Sequence, residues 1–241
     1  HGVRPEIARR ARALGLRTYD AVCPLVAKVH REVERHYRDG RMVLLIGHPG
    51  HPEIEGTLGH VPEGSAVTIT SVEEIARLDI PADVPVAFAV QTTYAVDEAA
   101  EIVAELRRRF ANLAGPASSD ICYATTNRQA AVRAIAARAD SVIVAGAQFS
   151  SNARRLAEVA AGHCGAVQLV GGPGEIDWDL LDGSGIIGLT AAASTPESTV
   201  TAIIAALAER FELEVEEVEA ALEKIVFKPV AIGHRSEPTL P

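Results

Sequence analysis

Short aliphatic runs alternate with longer amphipathic stretches along most of the chain. Residues 42–46, 66–70 and 86–90 are runs of the first kind, and so are 141–145, 166–170 and 185–189. Continuous apolar runs of this length suit strands buried on both faces. A further strand is expected at 17–22. The intervening stretches predict helices at 24–37, 97–110, 127–139, 152–161 and 196–210, the first with Pro24 in its opening turn. Strand and helix in alternation imply an α/β fold with parallel sheets and helices on both faces. The small residues at 114–119 predict a linker, and the glycines at 47, 50 and 56 a tight loop rather than a helix. Beyond 210 the pattern predicts an acidic helix at 212–223, a strand at 224–230 and a disordered tail at 236–241.

The pattern occurs twice. Asp20-Ala21-Val22-Cys23 returns as Asp120-Ile121-Cys122, with the cysteines 99 positions apart. The same offset joins Gly47, which opens Gly47-His48-Pro49-Gly50-His51-Pro52-Glu53, to Gly146, which opens Gly146-Ala147-Gln148-Phe149-Ser150-Ser151-Asn152. It also joins Glu98, after Gln91-Thr92-Thr93, to Glu197, after Thr190-Ala191-Ala192-Ala193-Ser194. Each copy thus carries a cysteine, a polar loop and a hydroxyl-rich loop in one order. The polar motifs follow expected strands and precede helices, where open α/β sheets bind ligands.

The totals narrow the partners. The chain has 241 residues, 48% of them hydrophobic, which is ample for two cores near 100 residues each. Net charge is −9, and no basic run exceeds Arg107-Arg108-Arg109, so neither nucleic acid nor another broad anionic surface is an expected partner. No apolar run approaches the roughly 20 residues of a membrane span. Three cysteines do not make a disulfide framework, and a reducing, cytosolic setting is expected. The chain opens on His1 and Gly2 with no initiator methionine or secretory signal, and is expected to start partway through a longer protein.

Cys23 and Cys122 could each be a buried apolar cysteine. Their equal spacing and their place before a helix N-terminus, which favours thiolate, suggest instead a shared metal or cluster. Cys164 reads as a surface-loop cysteine. His48, His51 and Glu53 could bind zinc, donate to a substrate and relay a proton, or form a solvated turn. Ser150, Ser151, Asn152 and Ser194 could simply cap helices, or could offer donors to a diphosphate.

Taken jointly, residues 20–30, 46–59, 91–98, 120–129, 150–158 and 190–197 resemble the 4-hydroxy-3-methylbut-2-enyl diphosphate reductase family (LytB type). The resemblance implies three similar α/β domains in a pseudo-threefold arrangement around a central iron–sulfur cluster, the first domain mostly missing here. Residues 1–22 would be its remnant, 23–115 the second domain, 116–210 the third, and 211–241 a C-terminal extension. It implies a [4Fe–4S] cluster held by Cys23, Cys122 and a cysteine expected upstream of residue 1. It implies Glu53 as proton donor, Thr92 near the substrate alcohol, and His51 and His1 as substrate-binding histidines. Ser150, Ser151, Asn152 and Ser194 match diphosphate contacts. The electron donor would be a ferredoxin, a flavodoxin or the like. Phe149, Ala192 and His60 stand where the family usually has Asn, Gly and Gln. A truncated phosphate-binding module without a cluster, and a zinc hydrolase built on His48, His51 and Glu53, are the competing readings.

Overall fold

The computed structural model describes residues 1–218 and 225–226. Among these, His1–Gln91 with Glu101–Asp120 form one compact unit, and Thr92–Ala100 with residues 121–218 a second.

The first unit begins with α1 (Pro5–Ala13) and α2 (Pro24–Arg38), each with proline in its first turn. There follow β1 (Met42–Ile46), α3 (Pro52–Leu58), β2 (Ala66–Ile69), α4 (Val72–Ala76), β3 (Val86–Val90), α5 (Val96–Arg109) and β4 (Leu113–Ala114). All strand pairs are parallel, in the order β2-β1-β3-β4. Val43, Leu45 and Ala89 on one face of the sheet pack with Val29 and Val33 of α2 and Ile54 of α3. Leu44 and Ile46 point to the other face by the period of two, and are also fully buried. Side chains of this kind contribute about 1.5–3 kcal/mol each when buried.

The second unit repeats the plan with α6 (Tyr123–Ala136), β5 (Ser141–Ala145), α7 (Ser151–Ala161), β6 (Val167–Val170), β7 (Ile187–Ala191) and α8 (Glu197–Ala208). Its parallel order is β6-β5-β7. Residues of β5 divide between two cores: Val142 and Val144 face α6 and α7, while Ile143 and Ala145 face Ile203 and Leu207 of α8. Both faces are covered, as the unbroken apolar strands require.

The repeat is close but not uniform. β1 and β5 open 99 positions apart, at Met42 and Ser141, and so do α2 and α6. β3 and β7 open 101 apart, at Val86 and Ile187, and α5 and α8 keep that offset. Glu197 therefore corresponds to Val96 rather than to Glu98. The two added residues fall between β5 and β6, where α7 has 11 residues against 7 in α3.

Several expectations need correction. Residues 17–22 form no strand; the Asp20 side chain accepts the Val22 N–H at 2.9 Å, and a local side-chain bond of this kind competes with a ladder. Residues 52–58 are helical despite Gly56, because Pro52 starts the helix and His51 caps it. Residues 212–218 form no helix: Glu212 and Glu216 would repel one turn apart, and Leu213 and Val215 are exposed without an apolar face to join. The rest of that expected helix, nearly all of the 224–230 strand and the 236–241 tail lie outside the described residues. Cys164 is not on the surface. It is 7% exposed within the α6–α7 core, its Sγ 3.4–3.6 Å from the carbonyls of Ala139, Asp140 and Ala166.

Two local features carry testable consequences. A Cβ at Gly47 would lie 2.2 Å from Ile54 Cδ1 and 2.9 Å from Gln91 Oε1. Gly47→Ala should therefore cost about 1–3 kcal/mol through overpacking, read as a lowered thermal midpoint; an unchanged midpoint would show that the loop can yield. His30 on α2 is 6% exposed and its ring stacks on His60 with centroids 4.1 Å apart. Burial, and then the His60 imidazole, push its pKa down to about 4 from the ordinary 6.5. The unfolded chain thus takes up a proton that the fold resists. Stability from neutral His30 is complete above about pH 6.5 and is lost as pH falls toward 4. Denaturation midpoints should drop across that window, and His30→Leu should flatten the slope; an unaltered slope would assign the effect to other groups.

Candidate functional site

In each unit the polar loops leave the carboxyl ends of two adjacent strands between which the chain changes direction. Residues 47–51 follow β1 and Gln91 follows β3; residues 146–150 follow β5 and 192–196 follow β7. Such switch points form the crevice in open α/β sheets.

In the first unit the β1 loop is pinned to the β3 end. The Gln91 N–H donates to Ile46 O at 2.8 Å, and the His48 N–H donates to Gln91 Oε1 at 3.0 Å. Gln91 is 1% exposed, and its place before Thr92-Thr93 was the available signal for this clamp. The loop turns at Gly50, whose φ of +77° favours glycine. It delivers His51 to the N-cap of α3, where the ring Nδ1 accepts the Glu53 N–H at 3.2 Å. Glu53 is 1% exposed. The ring of His1 meets that of His51 edge-on, with centroids 4.9 Å apart, and one ligand-type atom from each of His1, His51 and Glu53 lies within 4.8 Å of the others. Two imidazoles and a carboxylate so disposed can grip a polar ligand and move a proton.

His48 is not part of that set. It is exposed, with Nδ1 3.4 Å from Gln91 Oε1. The cap also bears on zinc. An Nδ1 that accepts a backbone N–H leaves the neutral ring's proton on Nε2, which makes His51 a donor to an anionic oxygen rather than a metal ligand. The zinc-hydrolase arrangement of His48, His51 and Glu53 is therefore disfavoured.

Cys23 is the N-cap of α2, half-buried, and its side chain makes no capping hydrogen bond. Cys122 is the N-cap of α6, also half-buried. Its Sγ accepts the Thr125 N–H at 3.3 Å and lies 3.0 Å from Thr125 Oγ1. None of the three cysteines is in a disulfide. In the second unit Thr92 and Cys122 come together, since the Cys122 N–H donates to Thr92 O at 3.1 Å. The loop beyond Thr92 is held by Gln129, fully buried on α6. Its Nε2 donates to Tyr94 O at 3.1 Å and its Oε1 accepts the Val96 N–H at 3.2 Å.

Ser150 is the N-cap of α7, and its Oγ accepts the Ala153 N–H at 3.3 Å, which leaves its own hydroxyl proton to donate. Ser151 opens the helix. Asn152 follows, 9% exposed, with both amide atoms buried and without a hydrogen-bond partner. A buried unpaired amide costs about 1–3 kcal/mol, and a phosphate oxygen accepting from Nδ2 would relieve its donor half. Ser194 does not cap α8; Pro196 does, without a side-chain bond. Ser194 is exposed in the preceding turn. That turn is tied to the α7 loop, because Thr195 Oγ1 and the Ala192 N–H both donate to Ala145 O at 2.9 Å. Phe149 is 89% exposed and Ala192 2%.

The profile of the family described as LytB protein matches residues 1–208. The chain belongs to that family. The matched span takes in every candidate residue from His1 to Ser194. The 4-hydroxy-3-methylbut-2-enyl diphosphate reductase of Paracoccus denitrificans is 48% identical over 229 residues, covering 95% of this chain and 72% of the relative. That of Cereibacter sphaeroides is 47% identical over the same shares. Among solved structures, the E-1-hydroxy-2-methyl-but-2-enyl-4-diphosphate reductase of Plasmodium falciparum superposes with a TM-score of 0.81 at 34% identity, over 85% of this chain and 64% of that one. A second structure, of the terminal enzyme of the non-mevalonate pathway, gives a TM-score of 0.56 at 30% identity. Fold class and family thus agree with what the motifs imply.

Proposed function

We infer that the protein is an iron–sulfur oxidoreductase, a 4-hydroxy-3-methylbut-2-enyl diphosphate reductase of the non-mevalonate isoprenoid pathway. The observation that carries this reading is the joining of His1, His51 and buried Glu53 at the start of α3, in a chain 48% identical to such a reductase. The reaction takes two electrons and two protons. The allylic carbon–oxygen bond breaks, water leaves, and a proton adds to carbon to give isopentenyl or dimethylallyl diphosphate.

The thiols suit a cluster. Cys23 and Cys122 stand at helix N-termini, where the backbone dipole favours thiolate. A [4Fe–4S] cluster held by Cys23, Cys122 and a third cysteine expected upstream of residue 1 would supply electrons and a Lewis-acidic iron. The chain's own residues do the rest. Glu53 holds the proton that leaves with the hydroxyl oxygen as water. His51, with its proton on Nε2, and His1 donate to substrate oxygens. Thr92 positions the alcohol. Ser150, Ser151, Asn152 and Ser194 receive the diphosphate, with the α7 dipole favouring its negative charge. Electrons come from a ferredoxin, a flavodoxin or a similar small donor. A cytosolic setting keeps the thiols reduced; among the described residues no helix is long and apolar enough to cross a membrane.

Metal analysis of protein purified anaerobically with the upstream cysteine-bearing segment in place tests this. Iron with acid-labile sulfide and a brown colour is expected. A colourless protein that still binds diphosphate, or one that holds zinc and loses activity on chelation, would overturn it.

A further inference from the structure

The two cysteine positions are equivalent in the repeat yet differ in what surrounds the sulfur. Both residues are N-caps with extended ψ, 131° at Cys23 and 149° at Cys122. Three residues on, the first copy has Val26 and the second Thr125. Both are buried, 4% and 2% exposed. Val26 offers no polar atom beyond its backbone, and the Cys23 side chain makes no capping bond. Thr125 donates its N–H to the Cys122 sulfur at 3.3 Å and places its hydroxyl oxygen 3.0 Å from it.

We propose that Thr125 is a positioning residue that tunes the reduction potential of the iron–sulfur centre through the sulfur of Cys122. The proposal rests on the reading of Cys122 as an iron ligand. An iron-bound thiolate carries no proton, so in the 3.0 Å contact the hydroxyl must be the donor. A donor aimed at a ligand sulfur stabilises the more negative, reduced state more than the oxidised one, and hydrogen bonds to sulfur are among the factors that set cluster potentials. The donor would therefore raise the potential of the centre as a whole, and the sequence encodes it in one copy of the repeat and not the other. Burial adds to the effect, because a hydrogen bond shielded from water is electrostatically stronger. Gln129 and the Cys122 N–H hold the adjoining Thr92 loop in place, so the hydroxyl works within a fixed frame.

The test is an anaerobic redox titration, followed by electron paramagnetic resonance, on the iron-loaded protein and its Thr125→Val, Thr125→Ala and Thr125→Ser forms. Thr125→Val and Thr125→Ala should lower the midpoint potential, and Thr125→Ser should restore it toward the parent value. With a weakly reducing electron donor kcat should fall in the valine form while KM stays level. With a strong reductant in excess kcat should recover. Loaded Val and Ala forms with the parent potential would overturn the proposal alone. A parent protein that takes up no iron would overturn both the proposal and the reading of Cys122 beneath it.

Discussion

Glu53→Gln should reduce turnover of 4-hydroxy-3-methylbut-2-enyl diphosphate by about 10²–10⁴-fold, the usual worth of a positioned general acid. The expectation rests on Glu53 being 1% exposed, next to the His51 cap and within reach of His1. Glutamine keeps the shape and can still hydrogen-bond, but it cannot release a proton. Substrate affinity should change far less than kcat, because the donors proposed for the diphosphate at the start of α7 are untouched. The fold should hold as well: what His51 accepts is the backbone N–H of residue 53, and Thr57 Oγ1 donates to its carbonyl at 2.8 Å. Single-turnover kinetics on the reduced protein check this. Wild-type rates in the glutamine form would remove Glu53 from the proton path and leave it a structural acid.

The second large effect separates the three cysteines. Cys23→Ser or Cys122→Ser should each abolish stable iron–sulfur loading, since serine oxygen is a poor substitute for thiolate at such a centre. Cys164→Ala should leave loading intact. Its sulfur lies in the apolar core among Val132, Val142 and Leu156, against carbonyl oxygens, and far from any helix N-terminus in sequence. The alanine form should lose stability only, about 1 kcal/mol, as for other small core truncations. Iron and sulfide counts per chain, with a denaturation curve for each form, decide it. Equal loss of iron from all three would make Cys164 a ligand and unseat the repeat argument.

What the sequence made legible was the part written in continuous patterns. The runs at Met42–Ile46, Val86–Val90 and Ser141–Ala145 match the strands residue for residue, because strands buried on both faces are almost wholly apolar; the one polar member, Ser141, is buried with its hydroxyl accepting from Ser184 Oγ at 3.0 Å. Pro24 marked the start of α2 equally well. Helix α3 was hidden because Gly47 and Gly50 stand before it and Gly56 within it, although the first two serve the preceding turn. Gly47 is glycine for close packing against Ile54, which only the folded chain reveals. Cys164 was misplaced because a cysteine flanked by glycines looks like loop, while much of what buries it comes from residues 20 or more positions away, including the Ala139 and Asp140 carbonyls, Val132 and Val142. At the site, His51 and Glu53 were found through the loop motif; the neighbour the structure gives them is His1, named only through the family resemblance, rather than His48 of the same loop. A pair 50 residues apart leaves no local trace. Thr125 and Gln129 passed unnoticed because each works through the backbone or sulfur of another residue. A residue-by-residue comparison of the repeats at Val26 and Thr125 would have exposed the first of them.

The most direct measurement of the account is product analysis. Anaerobically reconstituted protein is supplied with reduced viologen and 4-hydroxy-3-methylbut-2-enyl diphosphate, and the diphosphates are separated and quantified. Formation of isopentenyl and dimethylallyl diphosphates, with two electrons consumed per molecule, none formed by the Cys122→Ser form and formation slowed about 10²–10⁴-fold in the Glu53→Gln form, is the expected result. A fully iron-loaded protein that binds the substrate yet yields neither product would contradict it.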